Sequence, residues 1–404
     1  MTKKPSYRFA GYTESWEQRK LGEISSRVKG NDGRMDLPTL TISAGQGWLD
    51  QRERFSGNIA GKEQKNYTLL RKGELSYNHG NSKLAKYGVV FQLNNYTEAL
   101  VPKVYHSFKM IDGRSGTFFE YLFATKIPDR ELGKLVSSGA RMDGLLNITY
   151  DDFMSIKLTF PTLPEQTAIG SFFQDIDQLI SLQQRKLEVL KEQKKTYLKL
   201  LFPAKGQTKP ALRFAGFEDE WKEVKLGEIA DYKNGKGYED RQSDSGSYEL
   251  INLNSISIDG GLKRSGKFID KVDETLEKGD LVMVLSDVAH GNLLGRVAII
   301  PESNKFVLNQ RVALLRPRLN SNSEFLYSYI NSNQYYFKAQ GAGMSQLNIS
   351  RSSVENFSVY FPSLPEQEAI GAFFQDLDKA IAKQEEKVNQ LKESKQTLLR
   401  KMFI

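Results

Sequence analysis

The chain has 404 residues, 39% of them hydrophobic, and is long enough to bury a core in each of two domains. Its 57 Lys and Arg outnumber its 49 Asp and Glu, and the net charge of +8 leans mildly towards a polyanionic partner. The absence of cysteine excludes disulfides, zinc–thiolate sites and a thiol nucleophile. The sequence shows neither an apolar leader nor an uncharged run of the ~20 residues that a membrane span needs, so we expect a soluble cytoplasmic protein.

An internal duplication dominates the sequence. Residues 8–24 return as 213–229, with Arg-Phe-Ala-Gly and Lys-Leu-Gly-Glu-Ile in both copies. Residues 160–202 return as 361–403, with more than half of the positions identical. Between these segments lie about 130 residues in each half, about 25–158 and 230–359, that match poorly except at a few edges. Because the repeated segments are similar and the regions between them differ, the sequence indicates two domains that have different targets on one scaffold.

Each variable region mixes β-rich runs with helical patterns, which predicts two α/β (α+β) domains. Typical strands are 89–93 in the first region and 281–285, 296–300 and 312–315 in the second, where 324–338 has a helical pattern. Two short edges are shared by the regions: Lys72-Gly73-Glu74 with Lys278-Gly279-Asp280, and Leu146-Asn147-Ile148-Thr149 with Leu347-Asn348-Ile349-Ser350.

A helix-start signature opens each copy of the longer repeat: Thr162-Leu163-Pro164-Glu165 and Ser363-Leu364-Pro365-Glu366. The hydroxyl can accept from a first-turn amide, the glutamate can reach back, and proline is tolerated in the first turn. No later proline interrupts the following residues, about 38 in each copy, which suffice for roughly 55 Å of helix.

Alternating steps of four and three residues pick out a mostly apolar seam on both helices, which predicts an antiparallel coiled-coil pair. The seam positions are Ile176, Ile180, Gln183, Leu187, Leu190 and Lys194 in the first helix, and Leu377, Ile381, Gln384, Val388, Leu391 and Lys395 in the second. A register with Leu187 opposite Leu391 brings Gln183 to Lys395 and Lys194 to Gln384. Such a pair relates the duplicated halves by a pseudo-twofold axis and brings the N-terminal segment to the end of the second helix. The alternative is that each helix pairs with a helix of another chain.

The order of variable domain, helix, variable domain, helix resembles the specificity subunits of type I restriction-modification enzymes, over the whole chain. The most specific matches are Leu163-Pro164-Glu165-Gln166 with Ile169-Gly170 and Phe172-Phe173, and their copies at 364–367, 370–371 and 373–374. The resemblance implies a first target recognition domain with the N-terminal constant segment (1–158), a first helix (159–202), a linker with the second recognition domain (203–359) and a second helix (360–404).

The resemblance further implies that each domain recognises one half of a bipartite double-stranded DNA target. The helices would set the spacing and dock two methylation subunits, and restriction (translocase and nuclease) subunits would join them. S-adenosylmethionine, ATP and Mg would serve those partners, with no cofactor bound by this chain. The residues agree with a non-catalytic role, because the sequence lacks a Gly-rich dinucleotide motif, a phosphate loop and the Asn-Pro-Pro-aromatic motif of amino-methyltransferases. The histidines His79, His106 and His290 lack partners at metal-ligand spacing, so we expect no metal site.

Polar, glycine-bearing loops beside strands are the natural carriers of side chains that recognise base edges, while Lys and Arg hold phosphates. In the first domain we select 77–83 and 138–147, and in the second 286–296, 340–348 and a basic loop at 233–241. The candidate DNA-binding residues are Asn78, His79, Asn81, Ser82, Lys83, Arg141, Lys236, Arg241, Asn292, Arg296 and Gln346. The competing interpretation is a coiled-coil scaffold that binds proteins without recognising DNA sequence.

Overall fold

The computed structural model describes residues 4–55, 61–136, 144–204, 206–238, 240–288, 291–343 and 346–404. The chain divides into two compact units, Met1–Gln184 with Lys387–Ile404, and Arg185–Glu386. Each unit therefore combines one variable region with parts of both long helices.

The first unit is built around a four-stranded antiparallel sheet in the order β2-β9-β6-β7, with two-stranded ladders β1–β10, β3–β4 and β5–β8 beside it. Its strands are β1 (Glu17–Lys20), β2 (Ser25–Arg27), β3 (Leu40–Ser43), β4 (Gly47–Asp50), β5 (Thr68–Arg71), β6 (Leu75–Asn78), β7 (Val89–Gln92), β8 (Glu98–Val101), β9 (His106–Met110) and β10 (Lys157–Phe160). Its helices are α1 (Leu21–Ile24), α2 (Gln51–Phe55), α3 (Gly116–Ala124), α4 (Asp129–Leu135), α5 (Tyr150–Ser155) and the first half of α6 (Leu163–Leu201).

The second unit repeats this plan with a four-stranded sheet in the order β12-β19-β15-β17 and a ladder β11–β21, and it adds a three-stranded sheet β14-β13-β18 and a ladder β16–β20. Its strands are β11 (Lys222–Lys225), β12 (Ala230–Asn234), β13 (Tyr248–Ile251), β14 (Phe268–Ile269), β15 (Leu281–Val284), β16 (Ser286–Val288), β17 (Val297–Ile299), β18 (Phe306–Leu308), β19 (Val312–Pro317), β20 (Gln346–Asn348) and β21 (Ser358–Phe361). Its helices are α7 (Leu226–Ile229), α8 (Ser323–Ser332), α9 (Gln334–Gln340), α10 (Arg351–Glu355) and the first half of α11 (Leu364–Met402). The predicted helix at 324–338 is thus two helices, because the backbone of Asn333 (φ −106°, ψ 33°) leaves the helical region between them.

The two edges shared by the variable regions have structural causes. Gly73 and Gly279 both adopt a positive φ, 91° and 90°, in the turn before the central strand, a conformation that favours glycine. The acid that follows closes the same turn, since the Glu74 and Asp280 carboxylates accept from the amides three residues earlier, at 2.8 and 2.7 Å. Similarly, the last residue of the second edge caps a short helix: the Thr149 and Ser350 hydroxyls accept from backbone amides of α5 and α10.

The long helices α6 and α11 have 39 residues each and run antiparallel, as predicted. In the first unit the end of α11 lies against the start of α6: the Lys395 ammonium contacts the Asp177 carboxylate at 2.6 and 2.7 Å. In the second unit the end of α6 lies against the start of α11, where Lys194 pairs with Asp378 at 2.5 Å. The two ion pairs occupy equivalent positions of the repeat, and the helices pair within one chain.

The two seam lysines contact carboxylates across this helix pair. The predicted register placed Lys395 and Lys194 opposite Gln183 and Gln384, and their ammonium groups lie on Asp177 and Asp378. Asp177 also accepts a hydrogen bond from the Tyr121 hydroxyl at 2.7 Å. An ionised acceptor binds ammonium more strongly than an amide does. All twelve predicted seam side chains on α6 and α11 are half-buried or buried. In contrast, Leu179 and Leu182, which lie off the seam of α6, are exposed.

The N-terminal segment contacts the end of α11 in the way that the linker contacts the end of α6. The Tyr7 amide donates to the Lys401 carbonyl at 3.0 Å, and its equivalent, the Leu212 amide, donates to the Leu200 carbonyl at 2.9 Å. The predicted proximity of the N-terminal segment to the second helix is thus confirmed.

Candidate nucleic-acid interface

The repeated Pro-Glu-Gln motif attaches each domain to its helix. Glu165 is completely buried and receives the Nε and Nη2 of Arg8, each at 2.6 Å. Its repeat, Glu366, receives Arg213 at 2.8 and 2.7 Å and also the Trp221 indole N–H at 3.1 Å. The Arg-Phe-Ala-Gly segments are therefore held by buried, two-pronged ion pairs.

The glutamine of the same motif contacts the start of a domain helix, α3 in the first unit and α8 in the second. The Gln166 amide nitrogen donates to the Pro161 carbonyl at 2.8 Å, and its oxygen accepts from the Ser115 amide at 3.3 Å, at the start of α3. Gln367 makes the equivalent bonds to Pro362 and Asn322, at 2.9 and 3.0 Å. These contacts fix the starts of α3 and α8 to the starts of the long helices.

The structure brings the two predicted loops of each domain together. In the first unit the Asn81 amide donates to the Gly144 carbonyl at 3.0 Å, and the Leu146 amide donates to the His79 carbonyl at 2.8 Å. In the second unit β16 and β20 pair antiparallel, with Ser286 opposite Asn348. A loop after the central strand and a loop before the short capped helix thus meet at the same topological place in both domains.

The first-unit candidates divide into buried and exposed side chains. His79 is 6% exposed, and both ring nitrogens lie at hydrogen-bond distance from carbonyl oxygens, those of Leu146 and Val104, at 2.8 and 2.9 Å. Asn78 donates to the Ile42 carbonyl at 3.2 Å and accepts from the Gly80 amide at 3.1 Å. This geometry favours a structural role for both residues, contrary to the expectation that they contact bases.

Three of the four remaining first-unit candidates face solvent. Asn81, Ser82 and Lys83 are exposed, although the Ser82 hydroxyl accepts from the Ala85 amide at 3.1 Å within the loop. Arg141 lies outside the described residues. DNA contact by the three exposed residues stays a prediction.

Most second-unit candidates are already engaged within the domain. Asn292 accepts from the Lys338 ammonium at 2.9 Å, and the Gln346 amide donates to the Ser286 hydroxyl. Arg296 donates to the Asn331 carbonyl at 3.1 Å, and burial lowers the pKa of this guanidinium. These contacts favour a structural role for Arg296 in particular.

The basic loop of the second unit lies beside acidic residues. Lys236 is 3.7 Å from Asp273, and the neighbouring Lys233 pairs with Glu274. The Arg241 guanidinium lies over the Tyr238 ring at 5.2 Å from its centroid. The positive charge of Lys233 and Lys236 is therefore largely compensated locally, which the sequence spacing did not indicate.

Two stacked histidines lie below the first-unit loops. The His79 and His106 rings are 4.8 Å apart and inclined by 15°, and His106 Nε2 bonds to the Ile148 carbonyl at 2.9 Å. Burial lowers the pKa of His106 to about 4, with smaller contributions from His79 and Arg27. The ring is therefore neutral at pH 7.

The hairpin formed by β3 and β4 was not predicted from the sequence. Its tip lies beside the loop after β6, and together they line an open groove that includes Ser43, Gly45, Arg54, Asn81 and Lys83. The available signal was a short alternating apolar run before Gly45-Gln46-Gly47, a pattern typical of a hairpin with glycines in its turn.

Within the described ranges, no cluster of three or more His, Asp or Glu side chains is arranged to hold a metal ion. No helix in the described part of the chain has the length and apolar character needed to cross a membrane.

A chain in which one α/β domain and one long helix each occur twice, with divergent loops in a repeated frame, defines a class of duplicated binding proteins. The chain belongs to the family of type I restriction modification DNA specificity domains, whose model matches residues 13–192 and 218–393. This membership favours the DNA-recognising interpretation over the scaffold, and it confirms the resemblance seen in the sequence.

Individual relatives are distant. The type I restriction enzyme MjaVIII specificity subunit of Methanocaldococcus jannaschii is 23% identical over 283 residues, which cover 65% of this chain and 65% of that protein, just under two thirds of its length. The fold is similar to the crystal structure of the S subunit of a type I restriction-modification system from M. genitalium, with a TM-score of 0.63, 16% identity and coverage of 100% of this chain and 99% of that one. A chain solved in work on complex assembly and conformational transition of the type I R-M system has a TM-score of 0.53 and 16% identity, with coverage of 98% and 99%.

Proposed function

We propose that this chain is the DNA-binding specificity subunit of a type I restriction-modification complex, and that each domain recognises one half of a bipartite site. One observation carries the proposal: the same loop pair occurs in both units, at the same topological place, with different side chains. Because the two loop pairs occupy equivalent positions but carry different side chains, they suit a DNA target whose two halves differ in sequence.

The proposed domain boundaries follow the repeat, with recognition domains at 1–158 and 203–359 and helices at 159–202 and 360–404. We propose that the paired helices set the distance between the two half-sites and dock two methylation subunits, to which restriction subunits bind. S-adenosylmethionine, ATP and Mg would be bound by those partners. In this proposal the chain is not a catalyst, and it acts in the cytoplasm together with the DNA.

Methylation mapping tests the recognition role directly. Cells that express the chain with its methylation subunit should acquire one new bipartite methylated motif in long-read sequencing, and the motif should vanish when the chain is omitted. A stable complex that yields no new motif would support the scaffold interpretation instead.

Domain exchange tests the assignment of half-sites. Replacing 25–158 by the equivalent region of another family member should change one half of the motif and leave the other half intact. The matched control replaces 230–359, which should change only the opposite half. If either exchange alters both halves, the two domains do not recognise DNA independently.

A further inference from the structure

The open groove of the first unit is a built surface rather than a gap between loose loops. One wall is the tip of the β3–β4 hairpin and the other is the loop after β6, residues 78–85. The Asn78 side chain ties the two walls together through its bond to the Ile42 carbonyl at 3.2 Å. A Cβ built on Gly45 would lie 3.4 Å from the Leu84 Cδ1, so the hairpin tip also touches the loop.

The groove is positively charged without compensation. Its lining contains Arg54 and Lys83 and no Asp or Glu. Among the described residues, neither cation takes part in an ion pair, whereas Lys233 and Lys236 of the second unit both lie on acids. Free cations on a concave surface attract phosphates, because each one that contacts a phosphate releases a condensed counterion from the DNA.

One exposed amide lines the groove and another lies next to a residue that lines it. Asn81 lies on the loop, and Gln46 lies at the hairpin tip next to Gly45. Asparagine and glutamine side chains can bind adenine through both a donor and an acceptor. Asn78 is unsuited to this task, since its amide already makes two hydrogen bonds within the domain.

We propose that this groove is the DNA-contact surface of the first domain, with Arg54 and Lys83 on phosphates and Gln46 and Asn81 at base edges. The inference rests on the proposed function and adds to it the β3–β4 hairpin, which was not predicted from the sequence. It predicts that the hairpin tip and the loop recognise neighbouring positions of the same half-site.

The test uses the full chain in complex with its methylation subunit and a duplex oligonucleotide that carries the motif mapped for the parent chain. Gln46→Ala and Asn81→Ala should each reduce discrimination at one position of one half-site roughly tenfold or more, and leave the other half-site unchanged. Arg54→Gln and Lys83→Gln should weaken binding to all duplexes, and each should reduce the slope of log affinity against log salt by about 0.9.

Matched controls come from the same domain. Asn95→Ala removes an exposed amide and Lys109→Gln an exposed cation, and neither residue lines the groove or adjoins a residue that lines it. Both controls should retain the parent specificity and salt slope. Recognition of the second half-site reports in every variant that the complex is folded.

The outcomes separate this inference from the proposed function. If the parent complex shows no sequence-dependent binding, the proposed function fails. If the parent binds its motif but the Gln46 and Asn81 variants discriminate as the parent does, only the groove assignment is overturned. The same holds if the Arg54 and Lys83 variants keep the parent salt slope.

Discussion

Removing the arginine of the first buried ion pair should destabilise the first unit strongly. Glu165 is completely buried and Arg8 is 13% exposed, so Arg8→Met leaves a carboxylate without its counter-ion in the interior. Breaking a buried pair from one side costs about 3–5 kcal/mol, and 3 kcal/mol corresponds to roughly a hundredfold increase in local opening. The double variant Arg8→Met/Glu165→Met should recover most of this loss, because no charge then remains buried.

The repeat supplies an internal comparison. Arg213→Met leaves Glu366 with one donor, the Trp221 indole N–H at 3.1 Å, so the second unit should lose about 1–2 kcal/mol less than the first. Hydrogen exchange measured by mass spectrometry on peptides from 8–24 and 213–229 reports on the two units separately. The reasoning is refuted if Arg8→Met costs under about 1 kcal/mol, or if the double variant is no more stable than the single one.

Two further predictions concern pH and packing. Burial holds the pKa of His106 at about 4, below the ~6.5 of an unfolded histidine, so its contribution to stability is complete above pH 6.5 and is lost as the pH falls towards 4. Between pH 7 and pH 5 the parent should therefore lose about 2 kcal/mol more of its free energy of urea unfolding than His106→Gln does. Glu120, whose pKa burial raises to about 7, changes stability in the opposite direction in both proteins, so the difference between them reports on His106. An identical pH dependence in parent and variant would assign it to other groups. Gly371→Ala should destabilise the second unit by about 1–3 kcal/mol in thermal unfolding. The new Cβ would lie 2.6 Å from the Asn322 Oδ1 that caps α8. The matched control is Gly170→Ala, whose Cβ would lie 3.1 Å from the Phe118 nitrogen and should cost less stability. Equal losses of stability in the two variants would contradict this explanation.

The long helices could be predicted from the sequence because their signals are local. The cap at Thr162 and an uninterrupted seam predict a helix, and α6 is observed at Leu163–Leu201. The partners of the seam lysines could not be predicted in the same way. Periodicity shows which face of a helix is buried, but the choice between Gln183 and Asp177 for Lys395 depends on side-chain reach across the pair.

The loops could be located but their individual side chains could not be assigned. The position of the loop after β6 follows from a strand pattern and a glycine, and the structure confirms that it is a loop. That Asn78 is already bonded depends on the Ile42 carbonyl, 36 residues earlier in the chain. Contacts of this kind arise only from the tertiary packing of the β3–β4 hairpin beside the loop after β6, which no local pattern encodes.

The last residues of the chain belong to the core of the first domain, and this has a consequence for folding during synthesis. The Phe403 ring packs against Trp16, Phe118 and Phe173, with centroid distances of 6.4, 5.3 and 5.9 Å. The ribosome must add all of Arg185–Glu386 before it makes the segment that completes this core. At ~5–20 residues per second that delay is about 10–40 s, during which the apolar faces of Trp16 and Phe118 lack their final cover. The second unit is contiguous in sequence, whereas the first unit cannot complete its core until Lys387–Ile404 have been made.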